Sequence, residues 1–150
     1  MPLDGLTLGL AADELRAALV NGRIDRIVQP ERDELNLTIR NNGQNHLLLL
    51  SASADCARAH LTAQKKTGPL EPPALCMLLR KHITGGRVAD IRQIHCDRIL
   101  EITIEHYDEL GERATKRLVC EFMGKHSNLI FVGGDGRIID SARRVNEAMS

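Results

Sequence analysis

Leu8, Ala11, Ala12, Leu15, Ala18 and Leu19 recur at helical spacing, with Asp13, Glu14 and Arg16 between them. That pattern predicts an amphipathic first helix. Asp4 or Thr7 stands where an N-cap would stand. Asn21-Gly22 is a stop signal, glycine being the residue that accepts a left-handed backbone. The apolar period then changes to two. "GRIDRIVQP", residues 22–30, reads as a strand with imperfect alternation, closed by Pro30. "ELNLTIR" puts Leu35, Leu37 and Ile39 on one face, and "HLLLLSA" returns as a strand apolar on both faces. "NNGQ" between them is a hairpin turn, because Asn-Gly tolerates positive φ. "ARAHLT" adds a short strand, and residues 62–72 read as an exposed loop. Pro72 and Pro73 suit the first turn of a second helix, "ALCMLLRKHIT", which Gly85-Gly86 ends. Strands follow at 87–95, 99–106, 114–123, 127–133 and 137–141, with "YDELGE" and "GGDG" as turns. No internal repeat and no low-complexity tract stands out.

Strands come in runs and are not separated by crossover helices. The expected class is therefore α+β: an antiparallel β-sandwich or flattened barrel flanked by two helices. At 150 residues the chain is long enough for one domain with a real core. That domain is expected over residues 1–143. The last clear strand ends just before "RRVNEAMS", so residues 144–150 are expected to begin a linker to regions beyond this sequence.

Composition narrows the function classes. Formal net charge is zero, which argues against coating nucleic acid by bulk electrostatics but leaves room for a local basic patch. Tyr107, Phe122 and Phe131 are the whole aromatic set, which argues against a module built on rows of aromatic base-stacking platforms. Cys56, Cys76, Cys96 and Cys120 form no C-x-x-C pair and fit no zinc spacing. They read as free thiols of a reducing compartment. No basic segment followed by an apolar run marks a signal peptide. "LLLL" at 47–50 is too short to span a membrane. A cytoplasmic protein with no membrane partner is expected.

The chemistry-bearing candidates are few. Pro2 could act as a secondary-amine nucleophile once Met1 is removed, with Asp4 as a nearby acid. No Ser/His/Asp set has motif context, and no G-x-x-x-x-G-K-[ST] loop occurs. The six histidines show no H-x-x-x-H spacing on either helix, so no metal or cofactor is expected. Arg80, Lys81 and His82 close the second helix, either complementing its C-terminal dipole or contacting phosphate. Gly124-Lys125-His126-Ser127-Asn128 is a polar turn between apolar strands. Lys125, His126 and Asn128 could hold a nucleic-acid backbone there. In "HCDRILEITIE", residues 95–105, Leu100, Ile102 and Ile104 share one face of a strand. By the same phase Arg98 falls on that apolar face beside Asp97, where an unpaired charge is costly.

A family resemblance bears on these residues. "LDGL" at 3–6, "GRIDRIVQP" at 22–30, "LTIRNNGQNHLLLLSA" at 37–52 and "ARAHLT" at 57–62 match one domain in order. So do "EPPALCMLLRKHITGG" at 71–86, "CDRILEI" at 96–102, "EFMGKHSNLI" at 121–130 and "GRIIDSARRV" at 136–145. Together they resemble the N-terminal domain of the NFACT family, the bacterial RqcH and eukaryotic NEMF group. Its bacterial members long carried a fibronectin- or fibrinogen-binding label. The resemblance covers nearly the whole chain.

It implies a module of a ribosome-associated quality-control factor, without catalysis of its own. Such factors bind a large ribosomal subunit that still holds peptidyl-tRNA. They recruit charged tRNA, alanyl-tRNA in bacteria, for template-free tailing of the stalled chain. The family's functional Asp-Arg pair falls on Asp97 and Arg98, and its N-terminal aspartate on Asp4. The family's coiled coil and RNA-binding regions are absent from this sequence. The resemblance also implies a fold similar to the N-terminal domain of formamidopyrimidine-DNA glycosylases. Those place glutamate directly after an N-terminal proline, where this chain has Leu3.

The expected mechanism has Arg98 stacking on a base, or clamping a phosphate, of the tRNA anticodon loop. Asp97 reads a base edge and Asp4 orients Arg98. Two alternatives stand beside it: a structural Asp4–Arg98 ion pair, and, for the whole protein, a matrix-binding adhesin. The oligomeric state is left open.

Overall fold

The computed structural model describes residues 5–55, 57–95 and 97–143. Helix α1 spans Gly5–Leu19. Strands β1 (Arg23–Glu31), β2 (Glu34–Asn41), β3 (Gln44–Ser51) and β4 (Arg58–Thr62) follow. Helix α2 spans Ala74–Ile83. Then come β5 (Arg87–Gln93), β6 (Ile99–Tyr107), β7 (Arg113–Glu121), a 3-10 turn at Gly124–His126, β8 (Asn128–Val132) and β9 (Ile138–Ser141). All nine strands join one antiparallel sheet in the order β4-β3-β2-β1-β5-β6-β7-β8-β9. The sheet is not closed into a barrel, so the α+β class holds in its open form.

The alternation read from the sequence sets the faces. Leu35, Leu37 and Ile39 of β2 are fully buried, as are Leu100, Ile102 and Ile104 of β6. Leu8, Ala12, Leu15 and Leu19 supply the buried stripe of α1. One apolar cluster unites both helices and both halves of the sheet. The Asn42-Gly43 turn has both residues at positive φ, at 52° and 76°, as its hairpin requires. Pro73 sits at the N-cap of α2 and Pro72 precedes it, so the prolines lie before the first turn and not in it. The segment 63–72 is not wholly free. Lys66 Nζ bonds Glu34 Oε2 at 3.0 Å, and Gly68 lies against Val28. Cys76 and Cys120 are free and buried.

The molecule contains an internal repeat that the sequence reading passed over. Its two halves, α1β1β2β3β4 and α2β5β6β7β8, sit on either side of the β1–β5 contact as near mirror orders in the sheet. Arg23 and Arg87 are the single register pair there. Around them the hydrogen bonds come in matched sets. Ile24 N–H donates to Gly86 O and Val88 N–H to Gly22 O, both at 2.9 Å. Asn21 N–H donates to Val88 O at 2.8 Å and Gly85 N–H to Ile24 O at 2.7 Å. Arg16 Nε donates to Ile91 O and Arg80 Nε to Ile27 O, both at 2.8 Å. Each helix thus satisfies a carbonyl on the first strand of the other half.

The helix stops follow the same symmetry, with one correction. The residue with the left-handed backbone after α1 is Asn21 (φ 75°), not Gly22; after α2 it is Gly85 (φ 88°). Gly22 is needed for space. A Cβ on it would lie 2.6 Å from Ile39 Cγ2 and 2.9 Å from Leu19 O. A Cβ on Gly86 would lie 2.9 Å from Ile104 Cγ2 and 3.0 Å from Ile83 O. Gly22→Ala and Gly86→Ala should each cost about 1–3 kcal/mol through overpacking against backbone. Denaturant melts measure this; a loss below ~0.5 kcal/mol in both would show that these close contacts yield easily.

Candidate nucleic-acid interface

The Asp97–Arg98 pair lies in the β5–β6 connection, whose shape is held by short bonds. Ile94 N–H donates to Ile99 O at 3.0 Å and Asp97 N–H to Ile94 O at 2.9 Å. His95 takes φ 51°, the left-handed region. Gln93 Nε2 donates to Asp97 O at 2.6 Å. Asp97 Oδ1 accepts the Arg98 N–H at 2.8 Å, so the carboxylate shapes the turn that presents its neighbour. Phe122 N–H donates to Arg98 O at 2.9 Å, which ties the corner to the end of β7.

The phase problem has a simple resolution. Arg98 precedes β6, and the residue is half-buried at the sheet's rim, not enclosed beneath it. No described residue makes a hydrogen bond or ion pair with its guanidinium. Asp97 is exposed, and no described residue engages its Oδ2. Asp4 and Pro2 lie outside the described residues. The Asp4–Arg98 ion pair and the proline-nucleophile reading lie outside them as well.

The polar turn after β7 stands beside this corner, because Glu121 pairs with Ile99 and Phe122 bonds Arg98. Lys125 and His126 are exposed there. Asn128 is not available to a ligand. It is 5 % exposed; its Nδ2 donates to Arg143 O, and its Oδ1 accepts the N–H groups of Leu129 and Arg143. It fastens β8 to the segment after β9. Arg143 Nη1 in turn donates to Lys125 O at 2.8 Å. Burial holds the Glu121 carboxyl above its ordinary pKa.

The helix-end candidates belong elsewhere. β6 runs from the Asp97–Arg98 corner to Tyr107, roughly 25–30 Å at the usual strand rise. Lys81 and His82 lie at that far end. Lys81 Nζ is 3.4 Å from Glu109 Oε1, and the His82 ring contacts Phe131 at 6.0 Å between centroids. Burial lowers the His82 pKa, and Lys116 and Lys81 lower it further. Arg80 spends its Nε on Ile27 O. The candidate set therefore splits: Asp97, Arg98, Lys125 and His126 at one end, Lys81 and His82 at the other. Among the described residues no group of three or more His, Cys, Asp or Glu could hold a metal ion. No described helix is long and apolar enough to cross a membrane.

Two stability measurements check this geometry. Arg98→Ala should change stability by less than ~0.5 kcal/mol, since nothing described pairs with the guanidinium. A loss of several kcal/mol would restore the structural ion pair. For Glu121 the folded-state pKa is raised, so stability falls as pH rises from the unfolded value of ~4.3 through the folded one. Glu121→Gln should stabilise at neutral pH, with an advantage that disappears below pH ~4. Equal gains at both pH values would remove the charge explanation.

The comparisons with known proteins agree with one another. The model of the family described as NFACT N-terminal and middle domains matches residues 4–150. The chain is 42% identical over 146 residues to the Rqc2 homolog RqcH of Streptococcus suis (strain 05ZYH33), covering 97% of this chain and 26% of that protein. It is 39% identical over 151 residues to the Rqc2 homolog RqcH of Bacillus subtilis (strain 168), covering 100% of this chain and 26% of that protein. The solved N-terminal domain of fibronectin-binding protein PavA from Streptococcus pneumoniae superposes with a TM-score of 0.93 at 41% identity, covering 96% of this chain and 55% of that one. The fibrinogen binding protein from Staphylococcus aureus gives a TM-score of 0.88 at 36% identity, covering 99% and 53%. The chain thus spans about a quarter of the length of the curated relatives it matches.

Proposed function

We propose that this chain, which belongs to the NFACT family, is the tRNA- and ribosome-binding module of a cytoplasmic ribosome-associated quality-control factor. The observation that carries the reading is the Arg98 guanidinium, unpaired among the described residues and presented on a turn fixed by Asp97 and Gln93. A delocalised cation held at a rim can stack on a splayed base or clamp a phosphate. The remaining oxygen of Asp97 can accept from a base edge, such as the amino group of cytosine. Lys125 and His126, exposed on the adjoining turn, can engage the flanking backbone. The RNA segment in this reading is a tRNA anticodon loop, whose bases are open to such contacts.

Around that contact the wider proposal follows. The intact factor binds a large subunit carrying peptidyl-tRNA and recruits charged tRNA, alanyl-tRNA in bacteria, for template-free tailing. The ribosome supplies peptide transfer, so the module's task is binding and not catalysis. Residues 1–143 form the domain and residues 144–150 lead toward the remaining regions. A second reading, attachment to matrix protein, takes its support from the descriptions of the streptococcal and staphylococcal structures as fibronectin- or fibrinogen-binding.

The test uses Asp97→Ala/Arg98→Ala in the intact factor. tRNA recovered with the large subunit should fall about tenfold or more, one good contact being worth about 1–3 kcal/mol, while the thermal midpoint stays unchanged. Full recovery of tRNA would sink the RNA reading. Loss of fibronectin binding with tRNA recovery intact would favour the adhesin.

A further inference from the structure

Phe122 and Phe131 are buried, and Tyr107 is 63% exposed. The one exposed aromatic of the chain therefore stands at the end of β6 opposite the Asp97–Arg98 corner. It forms a ridge between two adjoining clefts. One, of about 510 Å³, is shared with His82 and Lys116; the other, of about 220 Å³, with His106 and Arg113.

The charges around the ridge are unequal once their partners are counted. Glu109 faces Lys81 at 3.4 Å, and Glu105 faces Arg87 at 2.8 Å. Asp108 Oδ1 accepts the N–H groups of Leu110 and Glu112, which builds the β6–β7 turn. Arg113 and Lys116 have no hydrogen bond or ion pair with any described residue. Arg113 lies directly across from Tyr107 in the β6–β7 register, and Lys116 lines the cleft on the other side. Each side of the exposed ring thus carries one uncommitted cation. Burial chiefly lowers the His82 pKa, Lys116 and Lys81 lower it further, and Glu109 acts the other way.

We propose that Tyr107 is a stacking platform for one unpaired base of single-stranded RNA, with Arg113 and Lys116 holding the phosphates on either side. It is a second RNA contact, distinct from the Asp97–Arg98 corner. The π-face accepts any base, and the two cations serve a backbone passing over the ridge. A polyacidic peptide fits less well, because Glu105, Asp108 and Glu109 oppose any anion in these clefts and only the nucleic acid adds a planar base to stack on the ring. The contact is a single platform, which agrees with the scarcity of aromatics that rules out a row of them.

The experiment measures anisotropy of a labelled oligoadenylate of about eight nucleotides with the full chain, each variant first checked by thermal melt. Tyr107→Ala should weaken binding about fivefold to a hundredfold, and Tyr107→Phe should stay within about twofold of the parent, since the ring is kept. Arg113→Ala and Lys116→Ala should each lower the salt slope by about one. In the Asp97→Ala/Arg98→Ala background the further loss on Tyr107→Ala should persist, so failure of the anticodon-loop reading and failure of this one are separable. Unchanged affinity in Tyr107→Ala, or equal loss in Tyr107→Ala and Tyr107→Phe, would falsify the platform. Binding of polyglutamate in place of the oligonucleotide would overturn it too.

Discussion

At the middle of the sheet β1 meets β5, and the glycines that open these strands have no room for a side chain: Gly22 lies against Ile39 of β2 and Leu19 O, and Gly86 against Ile104 of β6 and Ile83 O. The rest of the molecule depends on that crossing. The two strands share one register pair and then part, so backbone groups beyond the crossing lack a sheet neighbour. Buried carbonyls must be satisfied. Arg16 on α1 and Arg80 on α2 reach across to Ile91 O and Ile27 O and do so. Each helix is thereby fixed to the opposite half, and the apolar stripes of both are brought over one core.

This frame makes β6 a rigid spacer between two ends of different character. Near its start, Glu101 is 6% exposed and held by Arg92 at 3.3 Å and Arg117 at 3.2 Å, which ties β5, β6 and β7 together on the outer face. A carboxylate so enclosed keeps its charge only with partners, and two arginines are consumed in supplying them. Among the described cations left without a carboxylate, Arg98 sits at one end of this strand and Arg113 and Lys116 toward the other. A chain of zero net charge can in this way present positive surface where its strands terminate.

Periodicity carried most of the elements into view, since burial on one face is what the alternation records. The buried faces of β2 and β6, the Asn42-Gly43 hairpin and the end of α2 at Gly85 were all legible. The repeat was legible too and went unread: "LRAALVNGRI" at 15–24 and "LRKHITGGRV" at 79–88 share leucine, arginine, glycine and arginine at equal spacing. What the pattern cannot carry is partnership between distant residues. Asn128 looked like a ligand contact because asparagine in a turn is ordinarily exposed; its bonds to Arg143 decide otherwise. Arg80 and Lys81 are neighbours in sequence, yet one bonds a carbonyl of β1 and the other faces Glu109. Arg98 was awkward only while the strand was assumed to include it.

The repeat also sharpens why one corner, and not its counterpart, is the candidate site. The β1–β2 turn matches the β5–β6 turn: Gln29 Nε2 donates to Arg32 O at 2.8 Å as Gln93 Nε2 donates to Asp97 O. Both turns carry an arginine and an aspartate side by side. In the first half these are committed. Asp33 faces Arg143 at 3.6 Å, and Arg32 Nε reaches Ala142 O at 3.5 Å. Residues 142–143, which follow β9 and lie outside the repeat, fold over that turn, and Arg143 also bonds Ala52 O. Nothing described covers the second turn in the same way. A symmetric frame built two similar corners, and the segment that breaks the symmetry closed one of them. Among the described residues, the guanidinium of Arg98, half-buried at the rim, is what that asymmetry leaves without a partner.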